Sequence, residues 1–298
     1  MRTILLTGAS GQVGWELQRQ LSSSYFVIAP GRDQLDLSDP DSIRRSVREL
    51  RPDIILNPAA YTAVDKAESE TDLSMRVNGI APRILAEEAR QLDALLVHYS
   101  TDYVFDGDNT TPYREDTPPN PQSIYGKTKL AGELAVQSAG CRHLILRTSW
   151  VYGIHGGNFI KTVLRLAKER DELRIVADQF GAPTWARLLA HSTLQILRSP
   201  QTIAWDIHLS GIYHLTAGGR TSWYQYAEEI LRLARQHDTQ LKNKTINIHP
   251  ISTEEYPLPA KRPKNSILST AKIQQTFGLS LPEWQDDLAT CLNQDFPY

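Results

Sequence analysis

The stretch LLTGASGQVG, residues 5–14, places three glycines at three-residue intervals directly behind a short apolar run. Ile4-Leu5-Leu6 reads as a strand, and the residues after Gly11, through Trp15 and Leu17 to Leu21, read as a helix. A strand that turns through glycines into a helix brings free backbone N–H groups and the positive end of the helix dipole to one point. A dinucleotide pyrophosphate needs such a place, here with Gly8, Ser10, Gly11, Gln12 and Val13 around it and Gly14 leaving room for close approach. A tight turn that needs glycine only for its backbone angles would read the same. The strand before and the helix after favour the binding loop. The spacing is G-x-x-G-x-x-G, and the Gly-Lys-Ser/Thr ending of a nucleoside triphosphatase loop is absent.

Outward from this turn the same alternation continues. Phe26-Val27-Ile28, Ile54-Ile55-Leu56, Leu95-Leu96-Val97 and Leu144-Ile145-Leu146 have the apolar character of strands buried on both faces. Between them lie helical segments: one opened by Asp39-Pro40 as cap and first residue, one over residues 71–92, and one opened by Tyr125. This pattern predicts an α/β fold, a doubly wound parallel sheet. Residues 212–215 read as one more strand and 186–197 as a helix returning to cover the sheet. Residues 153–183 and those after Thr216 are rich in Pro, Gly, Trp and Tyr. The expected organisation is a dinucleotide-binding domain over 1–152, with 184–215 returning to it. A smaller substrate domain would comprise 153–183 and 216–298, laid across the carboxyl edge of the strands.

Bulk properties remove several classes. With 298 residues, 41% hydrophobic and 22% charged, the chain has the balance of a folded globular protein. A formal net charge of -2 offers no general attraction for nucleic acid or an anionic membrane. The apolar run before Thr7 is too short for a signal-peptide core, and no later stretch approaches membrane-spanning length. Cys141 and Cys291 are the only cysteines and have no metal-ligand partners nearby in sequence. A reducing, cytoplasmic setting is expected.

YGKTK, residues 125–129, puts a phenol and an ammonium four residues apart, on one face of a helix. An exposed aromatic beside a solvated lysine is the plain alternative. With a dinucleotide loop in place the pair gains a use, because carbonyl reduction needs a proton as well as a hydride. A free tyrosine has a pKa of about 10, and a neighbouring ammonium stabilises its phenolate. Thr101 lies just beyond the fourth strand, where a hydroxyl can hold a substrate carbonyl, though such a residue also commonly caps a turn. After the second strand comes Ala29-Pro30-Gly31-Arg32. Arg32 favours a 2′-phosphate, hence NADPH with NADH tolerated.

Together Gly8/Gly11/Gly14, Thr101 and Tyr125-x-x-x-Lys129 resemble the extended short-chain dehydrogenase/reductase superfamily, with its Rossmann-type sheet. The runs GASGQVGWELQ, NPAAYTAVDKAE, HYSTDYVFDG, YGKTKLAGE, LRTSWVYG, NFIKTVLRLA, VADQFGAPTWA and KRPKNSILS narrow this to the dTDP-4-dehydrorhamnose reductase family. The resemblance implies reduction of dTDP-4-dehydro-L-rhamnose. It places Ala60, Tyr61 and Thr62 beside the nicotinamide, Asp36 and Leu37 near the adenine, and Tyr99 on the dinucleotide. It also places Thr101, Asp102 and Trp150 on the sugar, and Asn158 with the segment from Gln179 to Thr184 on the sugar nucleotide. Some members are dimers that share magnesium through acidic side chains. Glu16 matches one such position, but Arg187, Asn293 and Gln294 stand at the others. No metal and a monomer are therefore expected. Dehydratases and epimerases share the fold, but Tyr103 stands where a dehydratase has its glutamate base. A non-catalytic relative could have lost the tyrosine or lysine; both are kept.

Overall fold

The computed structural model describes every residue except Asp206, Asn243, Pro297 and Tyr298, and every remaining side chain except those of Ile207, Gln294 and Asp295. The expected second-domain span, 216–298, and the Gln294 side chain thus extend beyond the described part. The first strand, β1 (Thr3–Leu6), leads through the glycine turn into α1 (Gln12–Leu21). There follow β2 (Phe26–Ile28), α2 (Pro40–Leu50) and β3 (Ile54–Asn57). Asp39 caps α2 by accepting a hydrogen bond from Asp41 N, and Pro40 occupies the first turn, as its sequence announces. Next come the short helices α3 (Val64–Ala67) and α4 (Thr71–Met75), a π-helical turn (Arg76–Ile80) and α5 (Ala81–Leu92). The single helix expected over 71–92 is therefore interrupted by a π turn. Its physical reason is tertiary: Asn78, within that turn, is drawn inward to hydrogen-bond Tyr61, Ser74 and Thr128.

β4 (Leu95–Thr101), α6 (Ile124–Ser138) and β5 (Arg142–Thr148) complete the first half. The second half is built from shorter pieces: β6 (Val151–Tyr152), α7 (Phe159–Glu169), β7 (Glu172–Val176), β8 (Phe180–Gly181), β9 (Thr184–Trp185), α8 (Ala186–Arg198) and α9 (Pro200–Ala204). It ends with β10 (Gly211–His214), β11 (Thr221–Ser222), α10 (Trp223–Ala234), α11 (Thr239–Lys242), β12 (Asn247–Ile251), α12 (Ala271–Phe277) and α13 (Trp284–Thr290).

Six strands form one parallel sheet in the order β10-β5-β4-β3-β1-β2. From β1 the chain runs first to one side, through β2, and then to the other, through β3. Their carboxyl ends part there, which is where open sheets bind ligands. Strand alternation sends Ile4, Leu6, Leu56, Val97 and Leu146 to one face and Leu5, Ile55, Leu96 and Ile145 to the other. Both faces are covered by helices, and each fully buried Leu or Ile side chain contributes about 1.5–3 kcal/mol. β2 is the exception. It lies at the sheet edge, and Phe26 is exposed rather than buried. A separate core gathers Tyr152, Trp185, Tyr226 and Trp284 with the apolar faces of α7 and α10.

Candidate active site

At the switch point Gly8 adopts φ +60° and its carbonyl accepts from Gly11 N at 2.9 Å. The turn closes so tightly that a Cβ on Gly14 would lie 2.1 Å from Gly8 O, so only glycine fits there. Gly11, the N-cap of α1, supplies no side chain to the first-turn N–H groups, and that turn carries no acidic residue. An anion is the natural cap for such a helix end.

A cleft of about 440 Å³ opens over this turn. Gly8, Ser10, Gly11, Gln12, Val13, Ala60, Thr62, Tyr99, Tyr125 and Lys129, separated widely in sequence, all line it. Tyr125 and Lys129 reach the cleft because α6 begins immediately before them. Ser123 caps the helix by accepting from Gly126 N at 3.1 Å, and Glu68 accepts from Ile124 N at 2.8 Å.

Burial dominates the electrostatics here. It pushes the Tyr125 phenol up to about 12, the Thr101 hydroxyl opposing and the Asp102 carboxylate adding to the rise. It brings Lys129 down to about 8 against the pull of Glu133. Asp102 rises to about 6, again by burial, with a hydrogen bond from Thr101 opposing. The Lys129 ammonium does not sit on the phenol. Its Nζ donates to Tyr99 O at 2.5 Å and lies 3.4 Å from His98 Nε2. Thr101 ends β4, donates to Asp102 Oδ1 at 2.9 Å and accepts from Tyr103 N. The Tyr103 ring meets that of Tyr125 edge-on, 5.4 Å between centroids.

Other expected site residues scatter. Arg32 is well exposed beyond β2, 3.8 Å from the Asp36 carboxylate. Hydrogen bonds from Ser38, with Arg32 adding, hold that carboxyl below its usual range. Leu37 packs against the sheet core. Tyr61 turns outward to donate to Glu70 at 2.6 Å, while Asn78 clasps its backbone N–H and carbonyl. Asn158 caps α7 and donates to Gln12 Oε1 at 3.0 Å, tying the start of α1 to the second half. Thr184 is fully buried, its hydroxyl given to Ala182 O.

A second, larger cavity of about 930 Å³ lies over the other core. Of the expected residues only Gln179 lines it; Phe159, Trp223, Tyr256, Arg262 and Lys264 form much of the rest. Trp150 stacks on Trp223 with centroids 3.6 Å apart, and holds φ +48°, a strained backbone for a bulky residue. Arg262 joins this wall to the first half through Asp65, at 2.8 Å. Sequence reading passed over Asn57, Asn78, His98, Trp223 and Arg262. Asn57 and His98 did open two of the quoted runs, and Arg262 stood within another.

Glu16 pairs with Arg187 at 3.6 Å and Arg19 at 3.8 Å, and Asn293 Oδ1 accepts from the His237 ring at 2.8 Å. Among the described residues no group of three or more His, Cys, Asp or Glu side chains could hold a metal ion, and no helix is long and apolar enough to cross a membrane.

The family described as RmlD substrate binding domain matches residues 1–296. The chain is 47% identical to a dTDP-4-dehydrorhamnose reductase of Escherichia coli, over 98% of both chains. It is 46% identical to one of Burkholderia thailandensis, over 97% of both. The crystal structure of a dTDP-4-dehydrorhamnose reductase from Bacillus anthracis in complex with NADP superposes with a TM-score of 0.88 at 38% identity, covering 97% of this chain and 98% of that one.

Proposed function

Because the chain belongs to the dTDP-4-dehydrorhamnose reductase family, we propose that it reduces the C4 carbonyl of dTDP-4-dehydro-L-rhamnose to give dTDP-L-rhamnose. It is an NAD(P)H-dependent oxidoreductase on a Rossmann-type fold, with NADPH as the preferred dinucleotide and NADH possible. The residues present fit that cofactor. The uncapped α1 terminus and the close Gly8–Gly14 turn suit a pyrophosphate, and the cleft continues from there to Tyr125. When bound, the reduced dinucleotide would supply the hydride.

Tyr125 is the proton donor to the nascent alkoxide. A phenol held at about 12 is fully protonated at neutral pH and so ready to give. Lys129, on the same helix face, stabilises the resulting phenolate through space. Thr101 turns its hydroxyl from Asp102 to the substrate oxygen, and Asp102 contacts the sugar. The larger cavity takes the sugar nucleotide: Arg262 and Lys264 face the diphosphate, and Tyr256 and Trp223, the latter backed by Trp150, offer aromatic faces to the sugar and base. On this reading residues 1–152 with 184–215 bind the dinucleotide, and 153–183 with 216–298 bind the substrate. Dehydration is disfavoured, because Tyr103 occupies the position where a dehydratase has its glutamate base and meets Tyr125 edge-on.

The carrying observation is the convergence of the phosphate turn, Tyr125 and Lys129 on one cleft. Purified protein with dTDP-4-dehydro-L-rhamnose should oxidise NADPH faster than NADH; no oxidation of either would end the proposal. We also place the protein in the cytoplasm as a monomer without magnesium, since Arg187 already neutralises Glu16. Fractionation checks the first point. For the second, sedimentation and activity should be unchanged by EDTA, and a loss of both restored by Mg²⁺ would reverse it.

A further inference from the structure

Lys129 terminates a line of buried polar groups that crosses the sheet at its carboxyl edge. Thr7 follows β1, Asn57 ends β3, and His98 stands on β4 as the register partner of Asn57. Thr7 Oγ1 is 2.7 Å from Asn57 Oδ1, and Asn57 Nδ2 is 3.0 Å from His98 Nδ1. His98 Nε2 is 3.4 Å from Lys129 Nζ. Asn57 and His98 are fully buried and Lys129 nearly so. Packing alone does not call for an imidazole here, since Leu96, two residues earlier and on the same face of β4, fills that layer with hydrocarbon.

Burial keeps the ring neutral, its pKa well below the ordinary histidine value, with the charge of Lys129 as the next cause. A neutral imidazole offers one N–H and one lone pair. Toward an ammonium only the lone pair is attractive, which assigns the ring proton to Nδ1 and its acceptor to the side-chain oxygen of Asn57. A half-turn of the Asn57 carboxamide exchanges its two ends without displacing the residue, so oxygen meets the ring and nitrogen meets Thr7.

We propose that His98 is a positioning residue for Lys129. Its Nε2 lone pair and the Tyr99 carbonyl hold two of the three ammonium N–H bonds and leave the third directed into the cleft. Asn57 fixes the tautomer that makes this possible. The inference rests on the role given to Lys129 above. Of the other charged or titratable groups, Tyr125 on the same helix and Tyr99 on β4 line the cleft with Lys129, and Glu133, one turn further along the helix, favours its charged form. Glu133 is engaged by Arg147 at 2.6 Å and supplies no hydrogen bond to Nζ.

Two amide substitutions separate positioning from mere packing. In His98→Gln the side-chain oxygen reaches the Nε2 position and can accept from Lys129. In His98→Asn the shorter amide reaches the Nδ1 position and Asn57 only. The expected result is that H98Q keeps turnover within a factor of about three, whereas H98N loses about tenfold, the scale of one charge-assisted hydrogen bond. The alkaline limb of kcat should also move to lower pH in H98N, because the ammonium has lost an acceptor that favours its charged form. Equal turnover in the two variants, or the better activity in H98N, would overturn the proposal. Nitrogen chemical shifts of the His98 ring in the unsubstituted protein, assigned by loss of its signals in H98Q, give a readout independent of activity and of variant folding. They should report the Nδ1–H tautomer; an Nε2–H tautomer would overturn it. Lys129→Met separates the two readings. If it is inactive while H98N is as active as the parent, only the His98 inference falls; if it retains parental turnover, the role of Lys129 falls with it.

Discussion

The two cavities were built by different kinds of sequence. The smaller is walled by the ends of long, regular elements, and residues from positions 8 to 157 arrive there because β1, β3 and β4 end, and α6 begins, at one edge. The larger stands over a core of aromatic residues and is lined by loops and two-stranded fragments. In the first, expected residues converge. In the second, Asn158 and Thr184 are consumed by the fold, and the residues that form the wall, Trp223 and Arg262, had no periodic signal. A parallel sheet specifies a location for its ligand; an irregular lobe fixes the walls of its cavity only once packed.

Substitutions can test whether the two cavities are functionally as separate as they look. The largest effect should come from Tyr125→Phe, which removes the proton but keeps the ring. Turnover should fall by about two to four decades with NADPH affinity unchanged, the scale of a lost general acid. Stopped-flow reduction within a few-fold of the parent would remove Tyr125 from the mechanism. Next, Arg262→Met should raise the KM for the sugar nucleotide about ten- to hundredfold, by loss of a charge-assisted contact, and leave NADPH affinity alone. If NADPH affinity dropped equally, the Arg262–Asp65 link would join the two cavities and the separation would fail.

Arg32→Ala concerns the proposed dinucleotide site only, at the exposed end of β2. It should raise the KM for NADPH by about tenfold and that for NADH by less than twofold, since only the former carries a 2′-phosphate. Parallel changes would place the adenosine elsewhere. The smallest effect is on stability. Asp102 is a carboxyl whose folded pKa, about 6, lies above that of a free aspartate. A raised folded pKa stabilises the fold below the unfolded value and loses that contribution as pH rises through 6. Asp102→Asn should therefore stabilise the protein at pH 8 relative to pH 4, by on the order of 1–3 kcal/mol against the parent in urea titrations. A pH-independent difference would mean that the buried carboxylate carries no such penalty.

The Rossmann-type half was legible because its signals are local and repeated. An apolar triplet buried on both faces, a glycine turn and a capped helix each announce themselves within ten residues, as at 4–14 and at 39–50. The Tyr125–Lys129 spacing was legible for the same reason, since a helix turns one face every four residues. Strand ends and interruptions were less so. Phe26 reads as core, yet β2 lies at an edge, and edge position depends on which strand pairs with which. The π turn at Arg76–Ile80 has no pattern of its own; it follows from Asn78 reaching toward Tyr61, residues seventeen apart.

Local chemistry in the amino-acid order thus settled the sheet, the glycine turn and the shared helix face of Tyr125 and Lys129, because each depends on neighbours within one or two helical turns. The protonation landscape and the partners of those groups required the folded chain. Tyr125 reads as a phenol relieved by a lysine, but packing between β4 and α6 buries it and pushes it up to about 12, and the lysine is given instead to Tyr99 O and His98. Burial and hydrogen-bond geometry are sums over residues remote in sequence, such as Thr7, Asn57 and His98, and no window of the chain contains them together.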